Sequence, residues 1–224
     1  MNPPMAAVAL PPVPDAPLPV LVGFSGGLDS TVLLHWLAQS MPQRAAGLRA
    51  VHVHHGLQAD ADAWTGHCQA LCRAWHLPLE VVRVVVARHS GEGLEAAARQ
   101  ARRDAFAQTL QPGEQLALAH HRDDQAETFL LRALRGSGVD GLAAIRQRAP
   151  LAAGTVWRPL LQVPRAALLA YAQAHGLDWI EDPSNASDEA DRNFLRLRVL
   201  PLLKQRWPQA DAAFARSAAL CAQS

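Results

Sequence analysis

Two short stretches hold most of the groups able to do chemistry. In Ser25-Gly26-Gly27-Leu28-Asp29-Ser30-Thr31 two glycines stand among hydroxyls and one carboxylate, directly before the apolar run Val32-Leu33-Leu34. Glycines let a backbone approach an anion with no Cβ in the way, and a helix start offers it free N–H groups. Ser25, Ser30 and Thr31 add hydroxyl donors, which is the make-up of a phosphate cradle. This loop matches neither G-x-x-x-x-G-K-[ST] nor G-x-G-x-x-G, so kinase-like NTPase and nicotinamide-binding chemistry are not indicated at it. A bare Ser-Gly-Gly also reads as a tight strand-to-helix turn with Asp29 as cap. The second stretch, His120-His121-Arg122-Asp123-Asp124-Gln125-Ala126-Glu127, sets two imidazoles ahead of three carboxylates. Asp124 and Glu127 are three apart and share a helix face, where they can grip one ammonium group or one metal. The plainer alternative is a helix capped by Asp123, with Asp124 and Glu127 complementing its dipole.

Both stretches sit where a strand hands over to a helix. Strands are expected over 18–24, 48–54, 79–86 and 115–120, with a further one over 156–161. Helices are expected over about 29–39, 60–76, 93–110 and 123–135, then 164–175, and a final helix or helix pair over 194–207 interrupted at Pro201. The alternation predicts parallel βαβ units in an open twisted α/β sheet, a Rossmann-like fold with a C-terminal helical segment. Such sheets bind ligands beyond the carboxyl ends of their strands, where both stretches fall.

Composition narrows the class. The 224 residues carry 21 Lys plus Arg against 20 Asp plus Glu, a formal net charge of +1, with 50% hydrophobic and 18% charged residues. This excludes an acidic disordered chain and a uniformly basic nucleic-acid glove, so RNA would have to bind at local patches. Lys204 is the single lysine, so any fixed cation is a guanidinium, which forks onto phosphate. Cys68, Cys72 and Cys221 form no even framework, and no apolar run is long enough to span a bilayer, which reads as a cytoplasmic protein with no membrane partner. Residues 1–19 hold seven of the 16 prolines and no basic residue, and read as a flexible leader rather than a signal peptide. The catalytic domain is expected over 20–207, with 208–224 a C-terminal tail or the start of a linker.

The hexad S-G-G-x-D-S between a strand and a helix is similar to the PP-loop of the N-type ATP pyrophosphatases, which cleave ATP between its α and β phosphates. The block A-H-H-x-D-D-Q-A-E-T-x-L-L-R-x-L-R-G-S-G resembles the matching motif of the tRNA(Ile)-lysidine synthetase family. So do Val51-His52-Val53-His54-His55-Gly56-Leu57, Arg158-Pro159-Leu160-Leu161, and Glu181-Asp182-Pro183-Ser184-Asn185 followed by Arg192-Asn193 and Arg196. The blocks come in family order over most of 20–201. The resemblance implies an ATP site at Ser25, Gly26, Gly27, Leu28, Asp29 and Ser30 with the strand end at His54, and magnesium near Asp29, since a carboxylate beside a polyphosphate needs a hard cation between them. It implies that Asp124 and Glu127 hold L-lysine, their carboxylates meeting its ammonium groups. Arg158 and either Arg132 or Arg135 would face phosphate or RNA, and Asp182, Asn185, Arg192 and Asn193 would close the site. The Glu-Ala-x-x-Arg helix bearing Arg99, Arg102 and Arg103 would contact tRNA; a solvated helix face is the alternative. His54 stands where the family has asparagine, and Gln58 where it has arginine. Members usually continue into C-terminal domains and often dimerise, so a homodimer is one assembly the resemblance leaves open.

The reaction implied is ligation of lysine to the wobble cytidine of a CAU-anticodon isoleucine tRNA. The cytidine O2 attacks the α phosphate of ATP, then the lysine ε-amine displaces AMP at C2. The first step needs charge neutralised at phosphorus, the second a proton acceptor, for which His120, His121 and Asp124 stand equal by position. Two rivals share parts of the pattern. A tRNA-thiolating enzyme shares the hexad but needs paired cysteines, which Cys68 and Cys72 do not resemble. A metal hydrolase would use His52, His54, His55, His120 and His121, yet alternation along a strand puts His55 opposite the other two of its group.

Overall fold

The computed structural model describes residues 10–15, 17–56, 58, 60–86, 94–152 and 154–223. Most of the expected leader, and Leu57 of the second-strand motif, lie outside these. A single sheet of six strands organises the rest, in the order β3-β2-β1-β4-β6-β5. Strands β1 (Val20–Gly23), β2 (Leu48–His54), β3 (Leu79–Arg83), β4 (Gln115–Ala117) and β6 (Gly154–Trp157) run parallel, and β5 (Arg148–Leu151) is antiparallel at the edge.

β1 is buried on both faces, as a central parallel strand requires. Val20 and Val22 join the larger core layer with Phe24, whereas Leu21 joins Val51, Phe106, Leu116 and Val156 on the other side. Helix α1 (Leu28–Ala38) is buried at every position except Asp29, so that carboxylate is the one part of the helix left facing outward. Helix α7 (Arg165–Ala174) contributes Ala167, Leu168 and Ala172 to the larger layer, and α3 (Ala61–Ala74) contributes Cys68 and Cys72. On the opposite layer α4 (Leu94–Thr109) buries Phe106.

The chain runs outward from β1 to β2 to β3, then crosses back to lay β4 on the far side of β1. This reversal opens a crevice between the carboxyl ends of β1 and β4, the position where such sheets take ligands. The glycine loop leaves β1 there, and His120 and His121 leave β4 beside it.

Differences from the sequence expectation have local causes. β5 was not foreseen because Pro150 breaks a strand pattern, which only an edge strand tolerates. The expected strand over 156–161 is shifted: pairing with β4 begins at Thr155 and ends at Trp157. Helix α2 (Met41–Ala46), started by Ser40, whose side chain accepts from the Gln43 amide, is too short to leave a periodic signal. Pro201 does not interrupt the last expected helix: α8 (Asp191–Phe194), a π-helical turn (Leu195–Val199) and α9 (Leu200–Arg206) follow without a break. Pro201 follows directly on the π-helical turn, where the regular α-helical bonding that its missing N–H could not supply is already displaced. The stretch read as a tail contains α10 (Ala210–Cys221), which stacks Phe214 on Phe129 of α5 (Arg122–Leu134) at 5.7 Å.

Candidate active site

The glycine loop is held by its own hydroxyls. Ser25 and Ser30 lie 3.1 Å apart through their Oγ atoms, Ser30 donates to the Gly27 carbonyl and Thr31 to the Gly26 carbonyl. Gly26 has φ +83°, and a Cβ there would meet Ile180 Cδ1 at 2.6 Å and Cys68 Sγ at 2.9 Å. Ile180 reaches the loop because its amide donates to the Gly26 carbonyl at 2.8 Å, a one-residue bridge that ties the segment after α7 to the cradle. Gly27, not Asp29, is the N-cap of α1, and no side chain caps that helix start. Its leading N–H groups face the loop, an arrangement suited to an anion.

Asp29 turns instead toward α5. Its Oδ2 lies 3.5 Å from His121 Nε2, and Arg165 Nε stands 3.9 Å from its Oδ1. Oδ1 is buried without a hydrogen-bond partner, which leaves one carboxylate oxygen beside the phosphate cradle free to hold a cation. His121 caps α5: its Nδ1 accepts from the Asp124 amide and its own amide donates to Asp124 Oδ2. Its Nε2 is also 3.5 Å from Asp124 Oδ2, so one imidazole ties the carboxylate of the loop to that of α5. Burial pulls the His121 pKa down, but the bond to Asp29 and the charges of Asp124, Asp29 and Asp123 outweigh it and raise it.

Asp124 and Glu127 do share a face, and two guanidinium groups occupy it. Glu127 is fully buried; Arg192 Nε donates to Oε2 and Arg196 Nε to Oε1, both at 2.7 Å. Arg196 Nη2 adds 3.0 Å to Oε2, and Arg192 Nη2 lies 3.0 Å from Asp124 Oδ1. Burial opposes ionisation of Asp124, but the charges of His121, Arg192 and His120 hold it below the usual carboxylate range. Arg196, quoted in the sequence motif without a role, is therefore as close to Glu127 as Arg192 is, and lies 3.6 Å from Asp124. The π-helical turn that carries it gave no sequence signal.

His120 differs sharply from its neighbour. Burial, partly offset by Asp124 and reinforced by Arg158 and Arg192, pushes its pKa down to about 4, so it is neutral near pH 7. Arg158 donates its Nε–H to His120 Nδ1 at 3.3 Å and its Nη1–H to the Arg146 carbonyl. Burial and the nearby guanidiniums of Arg99 and Arg103 lower the Arg158 pKa, which puts this face of α4 beside the crevice. Arg102 points elsewhere: its Nε–H donates to His55 Nε2 at 3.2 Å. Both line a cavity of about 180 Å³ with His52, His54, Trp64 and Asp182. That is below the roughly 300–1,000 Å³ of a whole-ligand pocket, so it suits one part of a nucleotide. His54 is held at its rim by Asp62 at 3.2 Å and Arg83 at 3.2 Å, two partners the sequence did not reveal.

Other expected residues fall outside the crevice. Arg132 donates to the Gly141 carbonyl, and Arg135 sits 3.6 Å from Asp191, both near the far end of α5. Asn193 donates to the Ser184 and Ser187 carbonyls, and the Asn185 backbone amide donates to the Asp182 carbonyl, bonds that shape this loop. Asp182 caps that loop at Ser184 and lines the cavity. Burial pushes the Cys68 and Cys72 thiols up to about 12 and about 11, which leaves them poor nucleophiles for sulfur transfer. Among the described residues no group of three or more His, Cys, Asp or Glu is placed to hold a metal, and no helix is long and apolar enough to cross a membrane.

Comparison with known proteins agrees with this geometry. A family model described as a PP-loop domain matches residues 10–203. The chain is 67% identical over 208 residues to a tRNA(Ile)-lysidine synthase of Xanthomonas axonopodis pv. citri, covering 93% of this chain and 47% of that protein. It is 58% identical to the enzyme of the same name from Escherichia coli O157:H7, over 91% of this chain and 47% of the relative. The chain thus spans about half the length of the curated relatives it matches. Among solved structures, the U34-tRNA thiolase NcsA from Methanococcus maripaludis, with its [4Fe-4S] cluster, superposes with a TM-score of 0.70 at 18% identity, covering 90% of this chain and 71% of that one. At that identity the likeness is one of fold.

Proposed function

We propose, from the premise that this chain belongs to the PP-loop domain family, that it carries the catalytic chemistry of a tRNA(Ile)-lysidine synthase. The substrates are ATP, L-lysine and an isoleucine tRNA with a CAU anticodon, and the setting is the cytoplasm. The observation that carries the reading is His121, 3.5 Å from Asp29 of the phosphate cradle and 3.5 Å from Asp124 of the acid face. A cradle for a nucleoside triphosphate and a charged site for an amino acid thereby open into one crevice.

In the first step the O2 of the wobble cytidine attacks the α phosphorus of ATP and pyrophosphate leaves. Ser25, Gly26, Gly27 and Ser30 hold the leaving pyrophosphate against the start of α1, while Arg158, with Arg99 and Arg103 nearby, offsets charge at the reacting phosphate. Magnesium fits Asp29, whose free Oδ1 would hold it, and when bound it would neutralise charge on the phosphates. In the second step the lysine ε-amine attacks C2, a proton leaves the nitrogen, and AMP departs with the former O2. His120, uncharged near neutral pH, accepts from Arg158 Nε through its Nδ1 and so acts as a positioning residue for that guanidinium. His121 is walled in by carboxylates and acts as a positioning residue for Asp29 and Asp124. The α4 face and the 180 Å³ cavity flank the crevice where tRNA phosphates and part of the nucleotide would lie.

The test is incubation with ATP, magnesium, labelled lysine and the CAU transcript. Label in RNA with released AMP is expected, abolished when the wobble cytidine is replaced by uridine and reduced at least about 100-fold in Asp29→Asn. Label that persists after the wobble change would overturn the reading.

A further inference from the structure

Three helices begin around one carboxylate. Asp29 stands in the first turn of α1, its Oδ2 lies 3.5 Å from His121, the N-cap of α5, and its Oδ1 lies 3.9 Å from Nε of Arg165, the first residue of α7. Helix starts carry partial positive charge, but the cradle itself brings no full one: Ser25, Gly26, Gly27 and Ser30 are uncharged and Asp29 is an acid. Lysine commonly supplies that charge at a phosphate loop. The single lysine of this chain is spent elsewhere, with Lys204 Nζ 3.1 Å from Asp123 and 3.5 Å from Asp211. Arg196, the other guanidinium whose charge reaches Asp29, is bonded to Glu127, and Arg158 is bonded to His120 and the Arg146 carbonyl.

Arg165 joins a fixed backbone to an unengaged head. Its amide donates to Asp123 Oδ2 at 2.9 Å, Lys204 holds the other oxygen of Asp123, and Ala167 and Leu168 bury α7 in the core layer that α1 shares. Its side chain is 49% exposed, and its nearest approach to Asp29 is too long for a hydrogen bond, as the partnerless Oδ1 confirms. A guanidinium in this state can turn its donor fork onto phosphate oxygens. We infer that Arg165 is a catalytic residue of the first step: its guanidinium grips the β and γ phosphates of ATP. When the cytidine O2 bonds to the α phosphorus, the bond from that phosphorus to its bridging oxygen breaks and the electron pair leaves on pyrophosphate. Arg165 neutralises the charge that builds there, at the opposite end of the nucleotide from Arg158. The assignment rests on the cradle taking ATP and names the cation that the leaving group meets.

The two fragments of ATP separate the ends of the site. Binding of pyrophosphate and of AMP, each with magnesium, is measured by calorimetry on the wild-type protein, Arg165→Gln and Arg165→Lys, with neither lysine nor tRNA present. In Arg165→Gln, pyrophosphate is expected to bind roughly 10–100-fold more weakly, the worth of charge-assisted contacts, while AMP stays within about twofold. Arg165→Lys should recover part of the loss, since it keeps the charge without the fork. In turnover, Arg165→Gln should slow AMP release and leave the KM for lysine unchanged. Pyrophosphate binding unchanged in Arg165→Gln, or pyrophosphate and AMP weakened equally, would overturn the assignment. A wild-type protein that binds neither fragment would overturn the ATP reading beneath it as well, whereas failure of lysine to enter the tRNA would sink the lysidine reading and leave the pyrophosphate result standing.

Discussion

Gly26 shows how far a single backbone position constrains the cradle. Its φ of +83° is unfavourable for any residue with a Cβ, and that Cβ would also meet Ile180 and Cys68. Gly26→Ala is expected to cost about 1–3 kcal/mol in urea unfolding and to suppress AMP release more than it lowers stability, because the displaced carbonyl anchors both Thr31 and Ile180. Shortening the contact with Ile180→Val should recover part of the stability and little of the activity, since the backbone strain remains. The two histidines after β4 make the complementary point. They are adjacent in sequence and equal by type, yet Asp29 and its neighbours raise one pKa while burial lowers the other to about 4. Nothing in the order of residues separates them; the difference is set by which nitrogen meets a carboxylate and which meets Arg158.

At the scale of elements, the strands and helices that frame the crevice were legible because each has a full period of apolar residues and a clear boundary. The glycine loop, β1, β4 and α5 all follow from that pattern. The Asp124–Glu127 pair was legible as a shared face, but its partners were not, because Arg192 and Arg196 come from 65 and more residues later in the chain. α10 was missed for a related reason: its alanine-rich stretch becomes a helix of known place only by packing on α5. Asp211 fixes that packing, 3% exposed, with Arg122 at 2.9 Å and Lys204 at 3.5 Å. Asp211→Ala leaves two partly screened cations without this partner and is expected to cost about 1–3 kcal/mol, checked by chemical denaturation. Lys204 keeps its other contact, 3.1 Å to Asp123, so α5 should hold its start while α10 loosens, which amide exchange would read.

The molecule as a whole has an acid-sensitive core around its crevice. His55 and His120 both titrate at about 4 in the folded chain against 6.5 unfolded, chiefly through burial. The unfolded chain therefore binds more protons across that window, and stability is lost as pH falls from about 6.5 toward 4. His121 acts in the opposite sense, its contribution full below 6.5 and lost as pH rises through its raised folded value. Thermal midpoints should fall steadily between pH 7 and pH 5, and His55→Gln, which still accepts from Arg102, should flatten that slope. A slope unchanged in His55→Gln would mean that the buried imidazole is not what acid attacks. The crevice exists only because the chain reverses direction between β3 and β4, which brings residues near 25 and 120 to one edge. The measurement that bears most directly on the proposed chemistry follows the oxygen. With ATP, lysine and a CAU transcript whose wobble cytidine carries heavy oxygen at O2, lysine should enter the RNA and the heavy oxygen should leave in AMP. Heavy oxygen retained in the lysine-bearing RNA, or recovered in pyrophosphate, would contradict attack of the base on the α phosphate.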